Sequence, residues 1–299
     1  MLLALTVVPA LAFGAGIPGK IAFVGLDHQI YVVDANGGEP KVLTRGDTGH
    51  LTERLSAPVP VSAVQGAPQG RAERRFAWPT WSPDGQTLLA QGVTLAVGGV
   101  TEQAGVYRLD TARPGVITPL YENREHGPIY LYVAPTGREA GVLVSQGGIL
   151  GLGLVRISDG QFRALGLGFP FYFSWRSDGD AIVTHTGAIP DEGHAAEINL
   201  IDVPSARDGG KPQVTKLSSQ PVLFRAPAWS PDGNHVAYAV RPEPGKSATL
   251  IVRAKNGEER KLASVSSRLV FSWSPDSKTI AVADATTPDS LFFGGINLI

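Results

Sequence analysis

The chain has 299 residues, of which 18% are charged, with a net charge of −1 and no cysteine. That charge balance gives no basic footprint for nucleic acid and none for an anionic membrane surface. Without cysteine, disulfides, thiolate catalysis, thiolate metal sites and a lipidated cysteine anchor are excluded. Hydrophobic residues make up 43%, enough for a large core, and 36 glycines with 23 prolines must punctuate many turns.

In chain order, residues 1–15 form an apolar, signal-peptide-like segment, and no charge occurs from Leu2 to Gly19. The run is short for a membrane span and is broken by Pro9. With Ala10-Leu11-Ala12 as a cleavage candidate it reads as a secretory signal, although no Lys or Arg precedes it. The competing reading is a buried first strand. No second apolar run could serve as a membrane helix, so a periplasmic or secreted location is expected.

Residues 16–299 read as one all-β domain. Its first unit, GKIAFVGLDHQIYVVDANGGEPKVLT, covers residues 19–44 and ends in the tight turn Asp34-Ala35-Asn36-Gly37-Gly38 and the strand Lys41–Thr44. Residues 45–77 follow, rich in Pro, Gly and Ala and containing Arg71, Arg74 and Arg75, and read as a long surface loop insertion. Four aligned segments then start at Trp81 (WSPDG), Trp175 (WRSDG), Trp229 (WSPDG) and Trp273 (WSPDS), with a weaker copy, VAPTG, at Val133. The starts are 52, 42, 54 and 44 residues apart, close to one four-stranded propeller blade per repeat.

Each repeat has a physical logic. A strand ends in Trp. Pro presets φ, Asp bonds its own backbone, and Gly accepts a positive φ. A second strand follows at once, as in His235–Val240, then a third such as Gly105–Leu109, Ile198–Ile201 or Thr249–Val252. A turn such as Ser158-Asp159-Gly160 or Lys255-Asn256-Gly257 leads to the fourth, as in Phe162–Leu165 or Arg260–Leu262. No window keeps a 3.6-residue apolar period with caps, so very little helix is expected. Trp81, Trp175, Trp229 and Trp273 fit inter-blade packing better than a ligand platform. Asp84, Asp178, Asp232 and Asp276 fit turn formation better than catalysis.

Taken together, Trp-Ser-Pro-Asp-Gly, an apolar triplet, Ile/Val-Tyr-x-x-Asp and Asn-Gly-Gly resemble the TolB-like, WD40-like β-propeller repeats over nearly all of the chain after residue 16. The resemblance implies a β-propeller and a family of periplasmic binding scaffolds whose blades also cap prolyl-oligopeptidase-type peptidases. Units beginning near residues 19, 78, 127, 171, 224 and 270 imply about six four-stranded blades. The first and last are incomplete in this chain, and a continuation past Ile299 is expected.

Catalytic signatures are scarce. No G-x-S-x-G elbow, HExxH or Walker loop occurs, and Gly151-Leu152-Gly153 fails the dinucleotide spacing at Arg156. The densest polar constellation, His185, Asp191, Glu192 and His194, is placed on a loop between the second and third strands of the fourth unit, where a flexible polar loop outweighs a divalent-metal site. No cofactor is expected. Loops joining second to third strands, and one unit to the next, should lie opposite the WSPDG turns and carry any ligand. Asp27, His28, Arg124, His126, His185, Asp191, Glu192, His194, Arg225, Arg241 and Arg268 are the candidate binding residues of that face, with Glu122, Glu125, Glu243 and Lys246 beside them. The leading function is a non-catalytic scaffold for a protein, peptide or glycan. The alternatives are the propeller part of a larger hydrolase and a metal-dependent propeller enzyme.

Overall fold

The recurring Ser-Pro-Asp-Gly run folds the same way wherever it occurs. At Ser82–Gly85 the Ser82 hydroxyl donates to Asp84 Oδ1 at 2.5 Å and accepts the Thr87 N–H at 2.8 Å. Asp84 Oδ1 also accepts the Gln86 N–H, and the Gly85 N–H closes the turn on the Ser82 carbonyl. Gly85 has φ +67°, where a Cβ would be strained. The arrangement recurs at Ser230–Gly233 and at Ser274–Ser277. Where Arg176 replaces the serine, its Nε reaches both Asp178 oxygens at 2.8 Å and restores the anchor by charge. Residue 277 is the exception at the glycine position. It keeps φ +63° as a serine, and its hydroxyl accepts the Asp232 N–H of the preceding turn at 3.0 Å.

These turns link strands into a series of antiparallel sheets in a computed structural model. It describes residues 19–44, 73–96, 99–146, 148–169, 171–187, 196–206, 210–219, 221, 226–241, 247–265, 269–285 and 293–299. Among them are 22 strands in six sheets and a single helical turn, α1 (Val203–Ala206). No helix of the described residues is long and apolar enough to cross a membrane.

The first sheet has three strands in the order β1 (Lys20–Val24), β2 (Ile30–Asp34), β3 (Lys41–Val42). The second runs β4 (Glu73–Trp81), β5 (Leu88–Leu95), β6 (Thr101–Leu109), β7 (Ile117–Glu122). The third contains β8 (Pro128–Val133), β9 (Glu139–Gln146), β10 (Ile149–Arg156) and β11 (Phe162–Gly168), again with sequence neighbours paired. The fourth is β12 (Phe171–Trp175), β13 (Ala181–Thr186), β14 (Glu197–Asp202), β15 (Gln213–Ser218), and the fifth β16 (Ala228–Trp229), β17 (His235–Val240), β18 (Ala248–Ala254), β19 (Glu259–Val265). The sixth has β20 (Leu269–Trp273), β21 (Ile280–Ala285) and β22 (Phe293–Leu298). Four sheets thus have the four strands expected of a blade, and the first and last have three among the described residues.

The chain divides into two compact units, Met1–Gly147 with Leu154–Phe162, and Gly148–Gly153 with Arg163–Ile299. Within the first, Ile30, Val32 and Leu43 pack with Phe76, Leu88, Ala90 and Tyr107, so that one core joins the first two sheets. A second core joins Leu89, Val106 and Tyr121 to Leu131, Val142 and Val144 of the third. Within the second unit, Val183 and Ile198 pack with Trp229, Val236 and Tyr238, and Leu250 and Val252 pack with Leu269, Ile280 and Val282. Each core is the space between consecutive sheets. Three of the four repeat tryptophans sit in these spaces: Trp81 packs on the first core, Trp229 is buried in the third, and Trp273 packs on the fourth while its indole N–H donates to the Ala228 carbonyl at 3.1 Å.

A candidate binding pocket opposite the turns

In the first unit, the ends of the sheets away from the Ser82–Gly85 turn carry two short, internally braced loops. The first joins β1 to β2. The Gly25 N–H bonds the Gln29 carbonyl and the His28 N–H bonds the Gly25 carbonyl. Asp27 Oδ1 accepts the Gln29 N–H at 3.2 Å, and Oδ2 accepts the Tyr31 hydroxyl at 2.8 Å. His28 holds φ +58°, a left-handed conformation that a non-glycine residue keeps only when its surroundings enforce it. They do: the His28 carbonyl accepts the Phe76 N–H at 2.8 Å, and the Gln29 amide donates to the Arg74 carbonyl at 3.3 Å. The loop is therefore fastened to β4.

The second loop joins β7 to β8. Asn123 Oδ1 accepts the backbone N–H groups of both Glu125 and His126 at 2.9 Å, a side-chain mimic of a backbone turn. The Tyr121 hydroxyl donates to the His126 carbonyl at 3.0 Å, and the Ser145 N–H donates to the Gly127 carbonyl at 2.9 Å. Strand β4 bulges between Ala77 and Thr80, where Trp78 has φ +54°, and the Trp78 indole N–H donates to the Leu131 carbonyl of β8 at 2.9 Å. Bulges of this kind re-aim neighbouring side chains.

Between the two loops lies a cavity of about 480 Å³. Its polar lining comes from His28, Arg75, Gln91, Thr101, Arg124, Glu125 and Ser145, and its apolar lining includes Phe76, Val93, Pro128 and Ile129. Period-two alternation separates the neighbouring arginines of β4. Arg74 lies 4.9 Å over the Tyr107 ring and donates to Thr94 Oγ1, whereas Arg75 lines the cavity. Gly92 lines it too, and a Cβ there would meet the Tyr107 ring at 2.8 Å and the Phe76 ring at 3.1 Å. The Gln91 Oε1 is buried with no hydrogen-bond partner.

The structure brings two of the expected residues together here, His28 and Arg124. Asp27 is spent within its own turn. His126 is half-buried next to the pocket and does not line it. His185 stands elsewhere and differently from the expectation. It lies within β13, fully buried and opposite Tyr172 and Ile198, because the apolar strand continues past it to Thr186. Arg241 is half-buried directly after β17 in the second unit. Asp191, Glu192, His194, Arg225 and Arg268 lie outside the described residues. Among the described residues no three His, Asp or Glu side chains converge as a metal centre. The polar lining residues Arg75 and Gln91 were not among the binding candidates from sequence. Arg75 was read as loop, but β4 begins at Glu73. Gln91 is a polar residue inside the apolar strand LLAQGVTL, and that interruption is its signal.

Neither protein-family profiles nor curated protein sequences yield a match. Solved structures do. TolB from Acinetobacter baumannii is 18% identical with a TM-score of 0.48, and the match covers 94% of this chain and 63% of that one. An oligogalacturonate lyase in complex with manganese is 13% identical with a TM-score of 0.58, covering 93% and 72%. The β-propeller domain of the Trilobed protease from Pyrococcus furiosus is 10% identical with a TM-score of 0.51, covering 76% and 67%. This chain spans less than two thirds of the length of the TolB it matches. Its similarity to the Pyrococcus furiosus domain is a similarity of fold, and the fold is that of a β-propeller.

Proposed function

We propose that this chain is a non-catalytic β-propeller that binds a protein, peptide or glycan outside the cytoplasm, through the pocket between the Gly25–Gln29 loop and residues 123–127. One observation carries the reading: the pocket joins charged and polar groups to an apolar wall on loops already fixed by hydrogen bonds. A preformed concave site of a few hundred cubic ångströms with a few placed polar groups is the usual form of a ligand site. Its walls need no ordering on binding, which favours affinity. The extracytoplasmic location rests on the signal-like segment at residues 1–15 and is compatible with the absence of cysteine.

Peptide and glycan arrays probed with the protein and with Arg124→Ala test this reading, with the bound material released and weighed by mass spectrometry. Binding should be lost in Arg124→Ala and the ligand recovered intact. Cleavage of a bound ligand, with or without added manganese, would contradict the non-catalytic assignment, and binding indifferent to Arg124 would contradict the site.

A further inference from the structure

We infer that the pocket captures the free C-terminus of a peptide whose last residue is apolar. The inference rests on the binding function proposed above and specifies its ligand. Three features of the lining each ask for a different group. Arg124 brings to the lining a guanidinium whose forked donors match a carboxylate, and Arg75 adds a second positive charge. The Gln91 Oε1 is a buried acceptor without a donor, and such a group gains most from an incoming N–H or O–H. Val93 and Ile129 form a wall that gains only from apolar contact.

The terminal residue of a peptide carries all three complements within one residue: the carboxylate, its own amide N–H and an aliphatic or aromatic side chain. An acidic sugar offers a carboxylate and hydroxyls but no side chain for the wall. Glu125 narrows the choice further, because it sets a negative charge in the same lining. A singly charged carboxylate between two arginines tolerates that neighbour, whereas a doubly charged phosphate is repelled more strongly. A cavity of about 480 Å³ accommodates the last two or three residues rather than a whole domain.

The test is fluorescence anisotropy of the full chain with labelled pentapeptides ending in Leu, Val or Phe, each as free acid and as C-terminal amide. The free acids should bind at least ~10-fold more tightly than the amides, since the amide loses the charge-assisted bonds. Arg124→Ala should abolish that preference, Arg124→Lys should restore part of it, and Gln91→Leu should weaken acids and amides alike. Arg124 is exposed, so its variants keep the fold. Equal affinity for acid and amide overturns the inference. Failure of both peptide series beside Arg124-dependent binding on the arrays overturns the inference and leaves the binding function standing. Failure of the arrays as well overturns both.

Discussion

The two ends of the second sheet carry polar residues of opposite kinds. At the turn end, Ser82 and Asp84 satisfy each other and the backbone. At the loop end, Asn123 and Asp27 brace the backbone in the same manner, but Gln91 Oε1 has no partner and Arg124 reaches no described acceptor. The first arrangement repeats from sheet to sheet. A polar group that spends its hydrogen bonds locally shapes the chain, and one that does not is available to a ligand.

Phe76 is where the distinction should break down, since its side chain belongs to the core and the residue also borders the pocket. It is 1% exposed and stands edge-on to Tyr107 with centroids 5.8 Å apart. Phe76→Ala should lower stability by about 3–5 kcal/mol in urea unfolding and also abolish ligand binding. A loss of binding at unchanged stability would mean that the pocket is independent of the core.

Turn residues should affect stability alone. Asp232→Ala removes an acceptor for the Ser230 hydroxyl, the Asn234 N–H and the Asn234 amide, and should lower stability by about 1–2 kcal/mol with peptide affinity unchanged. A change in affinity would show that this turn and the pocket are coupled.

Acid should act on the same turns. The Ser82 hydroxyl and then the Gln86 N–H hold the Asp84 carboxyl below its usual range. Burial pushes Asp178 and Asp232 upward, but Arg176 in one case and Ser230 with Asn234 in the other outweigh it, so both are also lowered. A carboxyl whose folded pKa is depressed contributes stability above its unfolded value, about 3.9, and loses it as pH falls through the folded value. The thermal midpoint should therefore drop steeply below pH ~4, less so in Asp84→Asn. An identical profile for that variant would remove Asp84 from the account.

The smallest effect should come from residue 277. Ser277→Gly relieves the left-handed strain but deletes the bond to the Asp232 N–H, and these terms, about 1–2 and about 0.5–1.5 kcal/mol, nearly cancel. Ser277→Ala keeps the strain and loses the bond, so it should be the less stable of the two by about 1 kcal/mol in chemical unfolding. If the glycine variant proves less stable than the alanine variant, the left-handed backbone at residue 277 is not strained.

The turns were legible because their chemistry is local: Pro, Asp and Gly at fixed offsets determine the fold of five residues without reference to the rest. The starts of the sheets followed, with Lys20, Pro128, Phe171 and Leu269 all close to where the repeat placed them. Part of the pocket was legible as well, since His28 and Arg124 sit on loops bounded by clear strands. Arg75 was not, because the bulged β4 leaves no periodicity across Pro79 to extend the strand back to Glu73. His185 misled for a related reason: Gly187 and Pro190 mark a loop, but the burial that governs β13 comes from residues distant in sequence. Gln91 is one polar residue in an apolar strand, and the lack of a partner for its Oε1 becomes visible only when the neighbouring strands are in place.

The central claim is that the turns hold the fold while the opposite loops bind. Thermal unfolding and free-acid peptide affinity, measured on the same preparation of Arg124→Ala, test it most directly. The account predicts an unchanged midpoint with binding lost; retained binding, or a loss of binding that merely follows a lowered midpoint, would contradict it.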